Sequence, residues 1–574
     1  MGYTLFIMAL PKDSNNRQPR AVHWADEYAE KIIREKGPIS AGNEPKEHHI
    51  SPHVYTCASG ITPSGTVHIG NFREIISVEL VVRALRDKGV KVRFIYSWDD
   101  YDVFRKVPAN MPKQEELQKY LRFPITMVPD PWERDESYAR HNEVEVENVL
   151  PLVGIFPEYI YQSECYRTSK YAAQIKIALE HREALKIILD KFRDEEHKIQ
   201  GEWWPISAFC DNCSKDDTGM DSWDGQWVVS YHCNSCGHQA AVDIREAKGI
   251  KLVWRVDWPM RWAYEQVDFE PAGKDHHSQG GSFDTARHVC KDVYNHDAPV
   301  TFRYDFIGSK GTPGKMSSSK GKVVDLPDVL RVYTPEIARY LFAGTRPNTE
   351  FMISFDLDVI KIYEDYDKTE RIAWGDEKAK DEATFLREKR IYELSQVKLD
   401  VEGKSAFPEV KPFQVPFRHL CNLIQIADCD IEKTIERLKC GNVDGVNGAP
   451  GDDQLPALLA RCRCAKYWIE ECAPEEFRFR LRNGDVHGPA TLNEKEYNGI
   501  QLLRDRVISC IEKYPDDKSC AEAIYQCAGE AGLEGKELFR AAYQALIGKD
   551  QGPRLANFLR CIDKERLLGI LKDF

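Results

Sequence analysis

The chain has 574 residues, of which 42% are hydrophobic and 30% charged, and a formal net charge of −13. That length exceeds what one hydrophobic core serves, so several domains are expected, and the composition is that of an ordinary soluble globular protein. No apolar run reaches the roughly 20 residues that span a bilayer. The acidic balance argues against a protein that binds nucleic acid by overall basicity, but it leaves room for a local, salt-sensitive patch of Lys and Arg.

Residues 1–22 are polar, lack periodicity and read as an extension. Their apolar stretch, 5–10, is too short for a signal core and has no basic leader. Phe6 stands where a myristoylation signal needs Ser or Thr, so a cytoplasmic location without a membrane partner is expected. Seventeen cysteines in such a chain point to reduced thiols. A helical pattern starts near His23 and ends by Gly37 and Pro38. A strand follows at 54–58, then a Gly-containing turn, a helix over 67–88 closed by Gly89, and an alternating strand over 92–98. This is a βαβ unit, the seed of a doubly wound parallel sheet. After Tyr166, helical stretches lead into a Trp- and Cys-rich hairpin region, so 166–244 reads as an insertion. Strand-like runs return at 251–256 and 300–304. From about 325 onward the pattern is helical, with breaks at Gly441, Gly451, Pro474, Gly488-Pro489 and Gly552-Pro553.

Four constellations carry chemistry. In the first turn, Pro63, Ser64 and Gly65 precede His68-Ile69-Gly70-Asn71. A helix start offers free N–H groups to a phosphate, and Gly65 and Gly70 allow close backbone approach. His68 is expected in the first helical turn with Asn71 on nearly the same face. As two neutral donors they can hold a triphosphate and steady departing pyrophosphate; a helix start with a surface histidine fits the same residues. Second, Lys315-Met316-Ser317-Ser318-Ser319-Lys320-Gly321 is a Gly-, Ser- and Lys-rich loop able to close over phosphates; a solubilising linker has similar composition, although Met316 argues against it. Third, Gly273 and Asp275 form a Gly-x-Asp turn that can offer a carboxylate to a ribose, and three tryptophans, Trp254, Trp258 and Trp262, precede it. His276 and His277 can be read as metal ligands, but no matching ligand spacing accompanies them. Fourth, Cys210/Cys213 and Cys233/Cys236 are two Cys-x-x-Cys pairs with 19 residues between them, the spacing of a four-thiolate, structural zinc site.

Taken together these stretches resemble the class I aminoacyl-tRNA synthetases. The segments 58–65, 98–102, 257–262, 273–276 and 314–321 are most similar to the class I lysyl-tRNA synthetases, as is 538–555 to the end of their anticodon-binding domain. The family patterns are His-Ile-Gly-His and Lys-Met-Ser-Lys-Ser. Here Asn71 replaces the second His, a change that keeps a donor but removes a titratable group. Ser318 replaces the second Lys, and Lys320 is read as supplying the displaced charge. The resemblance implies an α/β fold: a Rossmann-like catalytic domain in two halves, 23–165 and 245–310, and the zinc-bearing insertion between them. A mobile signature and stem-contact region, 311–370, and an all-α anticodon-binding domain, 371–574, follow. It implies an enzyme that joins L-lysine to tRNA(Lys) through a lysyl-adenylate, using ATP and Mg²⁺; a monomer is expected, although the sequence does not fix the oligomeric state.

In this reading His68, Asn71, Lys315, Ser318 and Lys320 serve catalysis. The ATP site adds Pro63, Ser64, Gly65, Gly70, Gly273, Asp275, Met316, Ser317 and Ser319. By resemblance Gly60, Thr62, Trp254 and His276 line the lysine pocket. The lysine ammonium needs a carboxylate, from Asp99, Asp100 or Asp102, or the face of Trp254. Arg255 and Arg261 keep a glutamate pocket, and so a glutamyl-type synthetase, open; so is an inactive zinc-bearing RNA-binding relative. Some family members hold a second zinc through Asp, Cys, His and a later His. At the matching segment, 130–141, Arg134 and Asp135 occupy the Cys and His places, and one zinc only, the four-cysteine site, is expected.

Overall fold

The structure, a computed structural model, describes residues 21–37, 53–310, 324–440, 446, 448–482 and 492–574. Helix α1 (Trp24–Lys36) leads to β1 (Val54–Ile61), α2 (Ile69–Asp87) and β2 (Lys91–Trp98), as the patterning predicts. Helix α3 (Tyr138–Val149) and β3 (Glu158–Tyr161) follow. Strands β4 (Ile206–Ala208), β5 (Thr218–Trp223), β6 (Val228–Cys233), β7 (Gln239–Asp243) and β8 (Ile250–Leu252) make up the Cys-rich region. Then come α4 (Trp254–Glu265), β9 (Val267–Phe269), β10 (Ala272–Gly273), α5 (Ser282–Asp292), β11 (Arg303–Tyr304) and β12 (Ile307–Ser309). After α6 (Leu326–Val332), α7 (Pro335–Ala343) and β13 (Phe351–Ile353), the described residues form helices and no further strand.

The central sheet has the order β3-β2-β1-β9, every pair parallel. A parallel bridge between Phe269 and Val300, then the pairing of β10 with β11, carries this edge further. Alternation along each strand decides what each face touches. Cys57, Phe94, Tyr96, Trp98 and Phe269 face the cluster that includes α2 and the C-terminal helices. Ala58, Ile95, Ile160 and Val267 face the cluster around α4, α5 and the Cys-rich strands. Both faces are covered, as parallel sheets require. Helix α2 is buried along almost its whole length, which explains why its sequence is apolar nearly all round rather than along one stripe.

Two expectations are corrected. The run 251–256 is not a strand of this sheet. Lys251 and Leu252 pair antiparallel with β4, and Trp254, Arg255 and Val256 open helix α4. Local β propensity there is overridden because the chain turns to cover the sheet, and the fourth sheet strand is the three-residue β9, too short to show a period. The Cys-rich region is a three-stranded antiparallel meander, β5-β6-β7, rather than a single hairpin.

Buried charges lock the layers together. Glu79 on α2 accepts from Arg83 on the same helix and from Arg339 on α7 (2.7 Å), and all three side chains are at most 3% exposed. Arg339 also donates to Val153 O (2.8 Å) and Leu394 O (2.9 Å), while Arg83 donates to the carbonyl of Gln396. Arg73, one turn from the start of α2, donates to the carbonyls of Pro347 (2.7 Å), Thr349 (2.8 Å) and Phe306 (3.3 Å).

Candidate active site

The strands of the central sheet all end on one side, and the residues that follow them converge there. Gly60 to Thr62 come from the end of β1, Ser97 and Asp99 from β2, Gln162 from β3, and Glu270 to Ala272 from β9. They line a cavity of about 400 Å³ closed on one side by α4. Ligands of open α/β sheets bind at this carboxyl edge. Gly60 is confined by its neighbour strand, since a Cβ there would lie 2.7 Å from Ser97 O.

Beside the cavity, α2 begins. His68 is its N-cap and not part of its first turn: its backbone is extended (φ −88, ψ 167), and its Nδ1 accepts from Gly70 N at 3.1 Å. Asn71 Oδ1 accepts from His68 N at 3.3 Å, completing a capping box. Gly70 is needed because a Cβ there would sit 2.9 Å from the imidazole. Asn71 also lines the cavity. Ser64 N donates to Thr62 O (2.8 Å), and Tyr138 OH donates to Ser64 O (3.0 Å), which ties the turn containing Pro63, Ser64 and Gly65 to α3.

Lys315, Met316, Ser317, Ser318, Ser319 and Lys320 lie outside the described residues. The described residues on both sides of them abut α2. Phe306 accepts from Arg73, and Ile69 N donates to Val324 O at 2.8 Å. Asp325 forms a bridge with His68 and caps α6 by accepting from Asp328 N (2.8 Å). Gly273 ends β10, and its carbonyl accepts from His276 N at 3.0 Å, starting the turn through Asp275 that leads into α5.

Helix α4 gives the cavity an aromatic wall. Trp254 stacks on Trp258 (5.5 Å, 18°), Trp258 meets Trp262 at 4.7 Å, and His276 lies 5.7 Å from both Trp254 and Trp258. The spacing i, i+4, i+8 places the three indoles on one face. His276 Nδ1 is 2.7 Å from Ser282 Oγ.

Of the expected lysine contacts, Gly60, Thr62, Trp254 and His276 line the cavity and Asp100 does not. The Asp100 carboxylate is buried and turned to Ser163, whose backbone N–H (2.7 Å) and hydroxyl both donate to it; burial pushes its pKa up to about 6. Asp102 accepts from Thr62 Oγ1 (3.0 Å) and pairs with Lys251 (2.9 Å). Asp99 does line the cavity but is answered by Arg261 at 2.6 Å, which also pairs with Asp257 at 3.1 Å. Arg261 is therefore occupied.

Three lining carboxylates escaped the sequence reading; one of them, Glu265, is answered by Arg93 at 2.8 Å, and the other two are not paired in this way. Glu74 on α2 accepts from Ser59 Oγ (2.9 Å), Gly60 N (3.3 Å) and Tyr304 OH. Glu270 accepts from Trp258 Nε1 (2.9 Å) and Trp262 Nε1 (2.6 Å). Neither has a cation within ion-pair distance among the described residues, and burial raises the pKa of both, that of Glu270 to about 7. Their neighbours in sequence gave no signal: Glu74 reads as a polar position in a helix, and Glu270 as the end of a strand. The site thus offers an aromatic trough, uncompensated negative charge and an adjoining helix start. Such a site suits an amine with an apolar stem next to an anion.

A family described as tRNA synthetases class I (K) matches residues 22–398. The chain belongs to the class I (K) tRNA synthetases. Curated relatives of this synthetase include the lysine–tRNA ligase of Treponema pallidum, 53% identical over 97% of this chain and 99% of that one. The lysine–tRNA ligase of Borreliella burgdorferi is 50% identical over 97% and 100%, and that of Thermococcus kodakarensis is 41% identical over 96% and 99%. Among solved structures, a glutamate tRNA ligase from Elizabethkingia meningosepticum in complex with its amino acid covers 90% of this chain and 98% of its own, with a TM-score of 0.41 and 14% identity.

Two clusters in the synthetase have metal-ligand chemistry. Cys210, Cys213, Cys233 and Cys236 bring their sulfurs within 4.8 Å of one another, with Cys210–Cys236 at 3.7 Å and Cys213–Cys233 at 3.6 Å. A tetrahedral zinc with bonds near 2.3 Å needs sulfurs about 3.8 Å apart, so the four fit that ion. Asp130, Asp135 and His141 also gather within 4.8 Å. Here His141 Nδ1 is 3.1 Å from Asp135, and Arg134 approaches its Nε2 at 3.4 Å. Asp130 caps the loop by accepting from the N–H groups of Trp132, Arg134 and Asp135. Asp135, which the motif comparison gives as an altered ligand, thus lies inside the cluster, and Arg134 supplies no ligand to it.

Proposed function

We propose that this chain activates L-lysine with ATP and transfers it to tRNA(Lys). The observation that carries the reading is the surplus of carboxylates in the cavity. With Arg261 engaged by Asp99 and Asp257, a glutamate side chain has no cation to meet, whereas an ammonium group has Glu74. The lysine–tRNA ligase identity of relatives at 53% and 50% over nearly the full chain supports the same substrate.

The lysine stem lies along Trp254, with Gly60, Thr62 and His276 around it and its side-chain ammonium at Glu74. Its carboxylate attacks the α-phosphorus of ATP in line, and pyrophosphate leaves; no protein nucleophile is required. His68, Asn71 and the N–H groups at the start of α2 hold the phosphates, together with the turn from Pro63 to Gly65 and Gly70. The ammonium groups of Lys315 and Lys320 neutralise charge that grows as the leaving group departs, and Met316, Ser317, Ser318 and Ser319 complete the ATP-binding loop. Gly273 and Asp275 receive the ribose. Mg²⁺, when bound, would supply further charge neutralisation to the phosphates these residues hold. In the second step the 2′-OH of the terminal adenosine attacks the mixed anhydride, and AMP leaves. The helical region 371–574 binds the anticodon, and the four cysteines hold one structural zinc.

Amino-acid-dependent exchange of pyrophosphate into ATP, run with all twenty amino acids, tests the reading. Exchange with lysine alone, and charging of tRNA(Lys) with lysine, are expected; exchange driven by glutamate would overturn it. One zinc per chain, lost in Cys233→Ser, is expected from metal analysis of the purified protein.

A further inference from the structure

Lysine in neutral solution carries two ammonium groups and one carboxylate. The cavity offers two carboxylates without a cationic partner, Glu74 and Glu270. The assignment above uses one. Glu270 stands at the end of β9, where the indole N–H groups of Trp258 and Trp262 fix its two oxygens one to each ring. Indole N–H groups are neutral donors: they orient a carboxylate without cancelling its charge. Such rigid support by groups that themselves form the substrate trough is what a positioned binding carboxylate needs, and it is more than a carboxylate needs merely to be tolerated in a core.

We propose that Glu270 is a substrate-binding residue that contacts the α-ammonium group of lysine, the group that Glu74 leaves unanswered, and that it gives up a proton as that group binds. The proposal rests on the lysine reading and deepens it. Two like charges facing one cavity cannot both stay ionised cheaply when both are buried. The groups that face Glu270 are Glu74 from α2, Tyr304 from β11, and Trp258, Arg261 and Trp262 from α4. Burial first, and then the Glu74 charge, raise its pKa to about 7 against the indole hydrogen bonds and Arg261. The empty pocket therefore stores a proton on Glu270 near neutral pH. Lysine satisfies both carboxylates and expels the proton to solvent; an amine without the α-ammonium leaves Glu270 protonated, gains no contact there and binds more weakly.

Titration calorimetry of L-lysine into the full-length protein, in buffers of different protonation enthalpy at pH 6.5, tests this. The wild type is expected to release protons on binding, and its lysine Kd to rise about fivefold between pH 7 and pH 6, the change expected for one competing proton whose pKa is about 7. Glu270→Gln keeps an acceptor for an indole but cannot titrate. It is expected to release no proton at this site, to bind lysine about tenfold more weakly at pH 8 with a flat pH profile, and to keep the KM for ATP. Its preference for lysine over 6-aminohexanoic acid, which lacks the α-ammonium, is expected to fall by a similar factor. Trp258→Phe removes one donor to the anion and leaves Glu270 in place, so its pH profile is expected to move upward, a response that a purely structural role would not give. Wild-type affinity and proton release in Glu270→Gln would overturn the proposal and leave the lysine reading intact. Failure of the wild type to bind lysine at all would overturn the reading itself.

Discussion

Helix α2 carries two glutamates five residues apart that live in opposite electrostatic worlds. Glu79 is shared between Arg83 and Arg339 in a fully buried network that joins α2 to α7 and to the carbonyls of Val153, Leu394 and Gln396. Glu74 meets hydroxyl and amide donors only, and looks into the cavity. The first is an ion pair whose charges are answered within the protein. The second is a charge whose answer must come from outside, and burial raises its pKa accordingly. Buried carboxylates that are paired hold a fold together; buried carboxylates that lack a counter-charge and face a cavity mark where a ligand belongs.

The comparison can be broken from either side. The largest effect is expected for Glu79→Ala, which leaves two buried arginines without their anion and should cost about 3–5 kcal/mol of stability, read from urea unfolding. Next is His68→Ala. Loss of a phosphate-holding donor is expected to slow lysine-dependent pyrophosphate exchange by about 10²–10³, as for single donors in other charge-stabilising sites. Removing the cap should lower stability by only about 1 kcal/mol. Glu74→Gln should do the reverse of Glu79→Ala. Its kcat/KM for lysine is expected to fall by roughly 10- to 100-fold, the scale of a hydrogen bond to a charged group, while its urea midpoint at pH 8 stays at or above that of the wild type. Equal destabilisation by the two glutamate variants would erase the distinction.

The smallest effect concerns pH. Because the folded-state pKa of Glu270 is raised to about 7 from the ordinary 4.5, the proton it binds favours the folded state. That contribution is complete below about pH 4.5 and is lost as pH climbs through 7. The ligand-free Glu270→Gln protein should therefore match the wild type in thermal midpoint near pH 4.5 and exceed it modestly at pH 8; superimposable midpoints at both would show that Glu270 is not protonated in the empty pocket.

Much of this molecule was legible before any coordinates. The βαβ unit declared itself because periods of 2 and 3.6 are local properties of a chain, and the strand and helix limits fall within a few residues of those expected. The four cysteines were legible for a similar reason. Each Cys-x-x-Cys pair is one tight turn, so half of the cluster is fixed by neighbours in sequence, and only the meeting of two turns required the meander. The role of His68 was half legible: its chemistry is intrinsic, but whether it starts the helix or caps it depends on a backbone angle set by packing.

The pocket's charge was not legible. In sequence Glu74 and Glu79 are the same residue type on the same apolar helix, and nothing local separates them. Asp99, Asp100 and Asp102 were equivalent candidates until tertiary contacts gave Asp99 to Arg261, Asp100 to Ser163 and Asp102 to Lys251. Residue identity and spacing set which side chains can carry charge, phosphate contacts and metal. Only the folded chain decided which of those charges were cancelled and which were left facing the cavity, because cancellation depends on groups brought to within about 4 Å from distant parts of the chain, and a linear pattern contains no such distances.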